Sequence, residues 1–448
     1  MNEKIDYHFG WRYLLPLKKE EKVGFLGLTN EEFNWWKGFI SKNLMFLSPN
    51  NPDGWIINLE KAGILKTEKF LLSPNTRWFS VYGRGWGVAL LKRKLDRHFN
   101  LCEYALLPSK NSRVVVPLKP TSATFLGLNL HKPGRPMAKL LIELAKILLK
   151  IGLTFPLKRK VLLLGIRKGV QHNDIVDSLK PIQKWIKREI ALYLGNPEEN
   201  RKTIILPLHH VPPKIILKVA ENQKARNSLK HEKDTLLFLS STSIKEKLPS
   251  ILGWEENKNI SVLCLEYLQK KAVDKKIFYK EVFNFFSELA LIKRQKVCFS
   301  EVFESIEKGL CKKKQNSIVR YIIEFIANSS YKPYLLINFT HGDFAPWNCC
   351  WTEKGLIVFD WEESGLDLAL TDVFYYFFAP AIHISGRWNL KKLLFKTIKF
   401  AKELSSRIGI DERDVKLYFI FWILKRFDKN SAFCEKIFNV LRRYYHEL

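Results

Sequence analysis

The sequence predicts an α+β chain with a strand-rich middle, a helical C-terminal third and a mixed α/β segment in front. Three observations carry this. Two apolar runs, Leu335-Leu336-Ile337 and Leu356-Ile357-Val358-Phe359, each lead into an acidic cluster, so they read as buried strands around a polar loop and a hairpin. A second hairpin and a β-branched strand precede them, over 191–208 and 212–220. From residue 390 onward, apolar positions recur at helical spacing.

In chain order, residues 1–185 are rich in aromatics (Trp11, Trp35, Trp36, Trp55, Trp78, Trp86) and carry short apolar runs such as Arg113-Val114-Val115-Val116-Pro117-Leu118. Lys160-Val161-Leu162-Leu163-Leu164-Gly165 reads as a strand leaving into a loop. The stretch predicts a separate mixed α/β domain whose role the sequence does not disclose, with no internal repeat or metal-ligand spacing. Gly83-Arg84-Gly85-Trp86-Gly87-Val88 has the composition of a phosphate-covering loop. The lysine that follows it, Lys92, lies in Leu90-Leu91-Lys92-Arg93-Lys94-Leu95, whose spacing points instead to a solvated amphipathic segment. Pro136 to Gly152 is bounded as a helix should be, by Pro at its start and Gly at its end. Lys139, Glu143, Lys146 and Lys150 share one face of it. Its wide apolar face is expected to pack into a core, with an anionic membrane surface as the alternative.

Residues 186–268 form the next segment. Gly195 with Asn196-Pro197 marks a turn between Ala191-Leu192-Tyr193-Leu194 and Thr203-Ile204-Ile205-Leu206. Ile215-Ile216-Leu217-Lys218-Val219-Ala220 is a strand carrying a lysine. Fourteen residues beyond Lys218, the helical stretch from Leu229 to Leu239 supplies Glu232. Ile260 to Leu268 is a further apolar strand; it reads equally as a plain core strand and as a strand ending in a hinge over Glu266 to Leu268.

Residues 269–448 hold the chemistry. His341-Gly342-Asp343-Phe344-Ala345-Pro346-Trp347-Asn348 is followed, twelve residues after that Asn, by Asp360-Trp361-Glu362. Phosphoryl transfer needs a carboxylate to accept the proton of an attacking hydroxyl, and an amide and a second carboxylate to hold the metal that bridges the nucleotide phosphates. A tight loop with this spacing presents base and metal ligand to one pocket.

This H-G-D-x-x-x-x-N loop followed by D-W-E resembles the aminoglycoside phosphotransferase and choline kinase-like family, relatives of the protein kinases, over residues ~190–448. The resemblance implies a bilobal protein-kinase-like fold, with 186–268 as its N-lobe and 269–448 as its helical C-lobe. It implies ATP and Mg2+ as cofactors, and transfer of the γ-phosphoryl group to a small-molecule hydroxyl acceptor. It makes Asp343 the catalytic base and Asn348 and Asp360 the magnesium ligands, with His341 bracing the loop. Lys218, held by Glu232, would take the α and β phosphates, and Glu266 to Leu268 would read the adenine edge through backbone groups. Glu362 stands between a second-metal role and a surface acid. Asp372 falls where such kinases bury a carboxylate under the catalytic loop; it would accept backbone N–H bonds. The nucleotide-covering hairpin departs from protein kinases, with one glycine and two acids, Glu198 and Glu199.

Composition bounds the rest. With 46% hydrophobic and 13% aromatic residues over 448, the chain is folded and large enough for two or three domains. Seven cysteines (Cys102, Cys264, Cys298, Cys311, Cys349, Cys350, Cys434) form no C-x-x-C pair, and an odd number argues against a disulfide framework. Cys349 and Cys350 read as small core residues, and a reducing cytoplasm is expected. Met1 to Asp6 shows no apolar signal core. No stretch reaches the ~18 apolar residues of a membrane span.

The net charge is +29. It concentrates in residues 101–190, with 17 Lys and Arg against 5 Asp and Glu, and in 381–448, with 15 against 7. Anionic partners or substrates are favoured, among them phospholipid headgroups and phosphorylated glycans. In relatives that act on polycationic drugs the helical subdomain lines the acceptor pocket with acids. A basic one predicts a neutral or anionic sugar or glycan instead. Two other readings are a non-catalytic kinase-fold ligand binder and a nucleic-acid-binding protein that uses the basic N-terminal zone. Nucleic acid is the less favoured partner.

Overall fold

The computed structural model describes the chain except for residues 1–9, 18–19, 43–45, 49, 108–112, 131–135, 152, 155–156, 171–181, 183–184, 186–188, 196–198, 211, 310–322, 324–333, 385–387, 446 and 448. The expectations for Met1 to Asp6, for Asn196, Pro197 and Glu198 in the hairpin turn, and for Cys311 lie outside the described residues. Two compact units result: Met1–Lys230 with Ser250–Tyr267, and His231–Pro249 with Leu268–Leu448.

The first unit is built on one twelve-stranded sheet. Its strands are β1 (Lys22–Leu26), β2 (Phe46–Leu47), β3 (Gly54–Asn58), β4 (Trp78–Arg84), β5 (Phe99–Leu107), β6 (Val114–Pro117), β7 (Lys160–Arg167), β8 (Ile190–Leu194), β9 (Thr203–Pro207), β10 (Ile215–Ala220), β11 (Ile251–Glu256) and β12 (Ser261–Glu266). They lie in the order β11-β12-β10-β9-β8-β6-β5-β7-β4-β3-β1-β2. At one end β2, β1, β3 and β4 run parallel. From the β4–β7 pair onward every pairing is antiparallel.

Side chains alternate between the two faces of a strand, and both faces here are covered. On β4, Trp78 and Tyr82 join one core, with Trp11, Trp36, Leu162 and Leu192. Phe79 and Val81 between them join the other, with Leu91, Leu95, Leu163 and Ala191. Burial on both faces explains why these strands read as continuous apolar runs without polar alternation. Lys218 is 9% exposed and falls on the opposite face of β10 from Leu217 and Val219.

Sequence sets residues 1–185 and 186–268 apart as two domains; in the structure they share one sheet and both cores. The seam is the β6–β8 pair, where Val114 stands opposite Tyr193 and Val115 opposite Leu192. Burying two facing apolar strand edges leaves no exposed ladder at that point.

Local signals account for several boundaries. Thr29 and Glu32 form a reciprocal capping box, Thr29 N–H to Glu32 Oε2 at 2.7 Å and Glu32 N–H to Thr29 Oγ1 at 3.1 Å, at the start of the helix Asn30–Lys42. The helix that carries Glu232 begins at Gln223, six residues before the expected Leu229. The Asn222 side chain accepts the Ala225 N–H at 2.8 Å, which caps it there. Residues after Gly83 form the helix Gly85–Leu95, and Lys92 donates to Glu103 at 2.6 Å, as a solvated amphipathic segment allows.

The helix Pro136–Lys150 differs from expectation. Ala145 and Leu149 are buried, but Leu140, Leu144 and Ile147 are 62%, 48% and 58% exposed. Its apolar stripe is wider than the narrow line that the core accepts.

The second unit contains a three-stranded sheet in the order β13-β14-β17, from β13 (Gln295–Cys298), β14 (Tyr334–Thr340) and β17 (Gly365–Leu368), and a hairpin of β15 (Cys349–Thr352) with β16 (Gly355–Val358). The helices Lys275–Leu289, Thr371–His383, Leu390–Arg407 and Val415–Tyr444 supply an aromatic core. In it Phe285 stacks on Phe344 at 5.2 Å and Phe419 on Trp422 at 5.5 Å. Cys349 and Cys350 are buried on β15. Among the described residues no helix is long and apolar enough to cross a membrane.

Candidate active site

The site grows from the end of β14. Buried Phe339 and Thr340 deliver the chain into the loop His341–Asn348, and Phe344 anchors the loop between Phe285, Phe286 and Tyr376. Beneath the loop, Asp372 in the first turn of the helix Thr371–His383 is 4% exposed. Its carboxyl group accepts the N–H of His341 at 2.6 Å and of Gly342 at 3.0 Å. The expected buried carboxylate is therefore present, with both oxygens bonded to the loop backbone.

Burial outweighs those two bonds and pushes the Asp372 pKa from the ordinary 3.8 up to about 7. The folded state thus holds a proton that the unfolded chain has lost between about pH 4 and pH 7. Stability from this group is full below about pH 4 and drains away as pH rises through about 7. In thermal melts from pH 4 to pH 8, wild type is expected to lose melting temperature relative to Asp372→Asn across that window. A pH-independent difference between the two would remove the assignment.

His341 is fully buried. Its Nε2 lies 3.0 Å from the Phe359 carbonyl and its Nδ1 accepts the Asp343 N–H at 3.3 Å. That pattern requires the neutral tautomer with the proton on Nε2. The ring ties the loop to the end of the hairpin and holds Asp343 by its backbone N–H.

Asp343 is half-buried. The Asn348 amide donates from Nδ2 to the Asp343 carbonyl at 2.8 Å and to its carboxylate Oδ2 at 2.9 Å. With Nδ2 so engaged, the atom Asn348 offers a cation is Oδ1. Asn348 immediately precedes β15, and its carbonyl accepts the Phe359 N–H at 3.0 Å. Asp360 follows directly, in the left-handed region at φ 75°. Asn348 and Asp360 therefore flank one hairpin, the first just before β15 and the second just after β16. Gly342 also has positive φ, 81°, and a Cβ there would lie 2.1 Å from the Glu363 carbonyl oxygen. Only glycine lets the loop pass this close to the segment after Asp360.

The donor set fits a hard divalent cation. One amide oxygen and one carboxylate leave its remaining positions to water and to phosphate oxygens, which is how magnesium is commonly held. Among the described residues no group of three or more His, Cys, Asp or Glu side chains is placed to hold a metal.

Three further groups join the site that sequence reasoning did not name. The Tyr375 hydroxyl contacts His383 Nε2 at 3.1 Å and reaches the Asp343 carboxylate; burial first, then the Asp343 charge, pushes its ionisation above the ordinary phenol range. Tyr375 lies one turn beyond Asp372 on the same helix, so its position was readable once Asp372 was placed. Arg426 stands 3.9 Å over the Tyr375 ring, from a helix far along the chain, and no local signal marks it. Ser364 bonds Thr235 Oγ1 and His231 through its hydroxyl and carbonyl. His231 and Thr235 flank Glu232, which is fully buried.

The remaining candidates distribute as follows. Lys218 on β10 and Glu266 at the end of β12 belong to the first unit, Glu232 and Leu268 to the second. Glu266 accepts the Ser250 N–H with its side chain at 3.1 Å, and the Tyr267 N–H is taken by the Lys214 carbonyl at 2.9 Å.

Residues 333–389, which contain the loop, the hairpin and Asp372, match the phosphotransferase enzyme family. The match is confined to that segment, the one that holds Asp343, Asn348 and Asp360. Among solved structures it is similar to an aminoglycoside phosphotransferase, APH(2")-IIa, in a ternary complex with streptomycin and ATP (16% identity, 57% of this chain and 91% of that one, TM-score 0.39). It is similar also to APH(3'')-Id from Streptomyces rimosus (13% identity, 52% and 91%, TM-score 0.34). A third is a fructosamine-3-kinase homologue from Haemophilus somnus (13% identity, 50% and 89%, TM-score 0.28). No curated protein matches the chain. The fold is α+β, and its large sheet takes strands from residues 1–185 as well as from 186–268.

Proposed function

We propose that this protein moves the γ-phosphoryl group of ATP to a hydroxyl of a small neutral or anionic sugar or glycan, with magnesium as the cation. The observation that carries the reading is the Asp343–Asn348 contact, 2.9 Å, at the mouth of the hairpin that ends on Asp360 and above the buried Asp372. Asp343 accepts or orients the proton of the attacking hydroxyl. Asn348 and Asp360 hold the cation, whose charge offsets that building on the transferred group. His341 keeps the Asp343 backbone in place. Lys218 is the phosphate ligand, Glu232 its carboxylate, and Glu266 to Leu268 the adenine-reading segment. The basic balance of residues 381–448 supports an acceptor that is not a polycation. Turnover of ATP against a panel of sugars, amino alcohols and nucleosides tests this. Robust phosphorylation of kanamycin-like compounds would overturn the acceptor class, and ATP binding without turnover on any acceptor would favour a ligand-binding role.

The cysteine usage supports a cytoplasmic location. The exposed stripe of the helix Pro136–Lys150, set among the basic residues of 101–190, supports peripheral contact with an anionic membrane. Full-length protein is expected to float with phosphatidylglycerol vesicles at low salt, and the double variant Leu140→Glu/Leu144→Glu is expected to stay behind. Equal flotation of both would end the membrane reading.

A further inference from the structure

The parallel end of the large sheet carries a pocket that phosphoryl transfer does not use. Its strands stand in the order β2-β1-β3-β4, so the chain leaves β1 first to one side and then to the other. In open α/β sheets, ligands settle outside the carboxyl ends of the strands near such a reversal. A pocket of about 710 Å³ opens one strand over, at the carboxyl ends of β3 and β4, lined by Arg84, the last residue of β4, and by residues that follow the two strands. That volume lies within the range of small-molecule sites.

Its lining is specific in character. Trp86 is 67% exposed, whereas Trp11, Trp36, Trp78 and Trp361 are fully buried. A large aromatic face left in water at a pocket wall is unspent contact area. Arg84 and Lys66 also line the pocket, with Glu60 as the one carboxylate among the described lining residues. Arg84 and Glu60 pair only loosely, at 3.9 Å, with the Arg84 side chain largely and the Glu60 side chain about half in solvent. The turn that presents Trp86 is held open by Gly85, where a Cβ would sit 2.0 Å from the Lys158 carbonyl oxygen. The Gly-rich string therefore serves close packing of the helix Gly85–Leu95 against the turn before β7, and Arg84 and Trp86 flank that glycine.

We infer that this pocket binds a phosphorylated ring compound, a sugar phosphate or a nucleoside monophosphate. The Trp86 face stacks on the ring, Arg84 and Lys66 take the phosphate, and Glu60 accepts hydroxyl protons. Two cations against one carboxylate favour an anion over a neutral sugar. The inference stands apart from the kinase reading, since every residue named as lining the pocket precedes residue 90.

Equilibrium dialysis of the full chain against radiolabelled glucose 6-phosphate and, separately, uridine monophosphate tests it. At least one probe is expected to bind with a dissociation constant below about 1 mM. Trp86→Ala and Arg84→Ala, both at exposed positions, are each expected to weaken it about tenfold, the scale of losing one ring-stacking contact. Asp343→Ala is expected to bind the same probe as wild type does. Preference for one probe identifies the sugar or the nucleoside source. Absence of binding by both probes would overturn the inference, as would binding that both pocket variants leave intact or that Asp343→Ala abolishes.

Discussion

Replacing Asp343 by alanine is expected to lower turnover of any accepted hydroxyl substrate by about 10³-fold while leaving ATP affinity within a factor of about three. The carboxylate is half-buried and its Oδ2 is bonded by the Asn348 amide. Its geometry is therefore set before substrate arrives, and its loss acts on the proton-accepting step. Asn348 is left without that acceptor but keeps its bond to the residue 343 carbonyl, so the loop persists. Steady-state kinetics on the best acceptor of the panel, with ATP affinity measured separately, decides it. Equal turnover in variant and wild type would remove Asp343 from the chemistry, and a matched loss of ATP affinity would make it a structural residue.

Gly342→Ala is expected to be the most damaging single-methyl change in the second unit. The added Cβ meets a backbone carbonyl oxygen at 2.1 Å, and the residue sits at φ 81°, where side chains other than glycine are strained. No side-chain rotation relieves contact with backbone, so either the catalytic loop or the segment after Asp360 must move. The expected cost is about 3 kcal/mol or more, read as a melting temperature several degrees lower. Turnover is expected to fall with it, because the same movement separates Asp343 and Asn348 from Asp360. A variant that melts and turns over like wild type would show that the loop does not approach Glu363 this closely.

Legibility followed the range of the interactions. The loop from His341 to Asn348, the hairpin to Asp360, and the acid at Asp372 all lie within about thirty residues; residue type at fixed spacing announces the first two, and the family resemblance implies the third. The structure joins them by short-range bonds: His341 to Phe359, Asn348 to Asp343, Asp372 to Gly342. The helix Pro136–Lys150 was legible as a helix but not in its surroundings, because periodicity reports an apolar stripe and not whether the sheet offers a matching surface. Arg426 over Tyr375 was not legible at all. Nothing in the residues around 426 distinguishes it from the many other basic positions.

Short spacing thus makes readable from residue order a loop and hairpin that carry a carboxylate, a carboxamide and a second carboxylate in strand–turn–hairpin context. Only the tertiary structure decided that the strands of residues 1–185 continue the same sheet as those of 186–268. Strand pairing between Val115 and Leu192 joins positions 77 residues apart. An apolar strand carries no mark of which edge it will meet, because any backbone edge offers the same hydrogen bonds and the choice falls to packing of both faces at once.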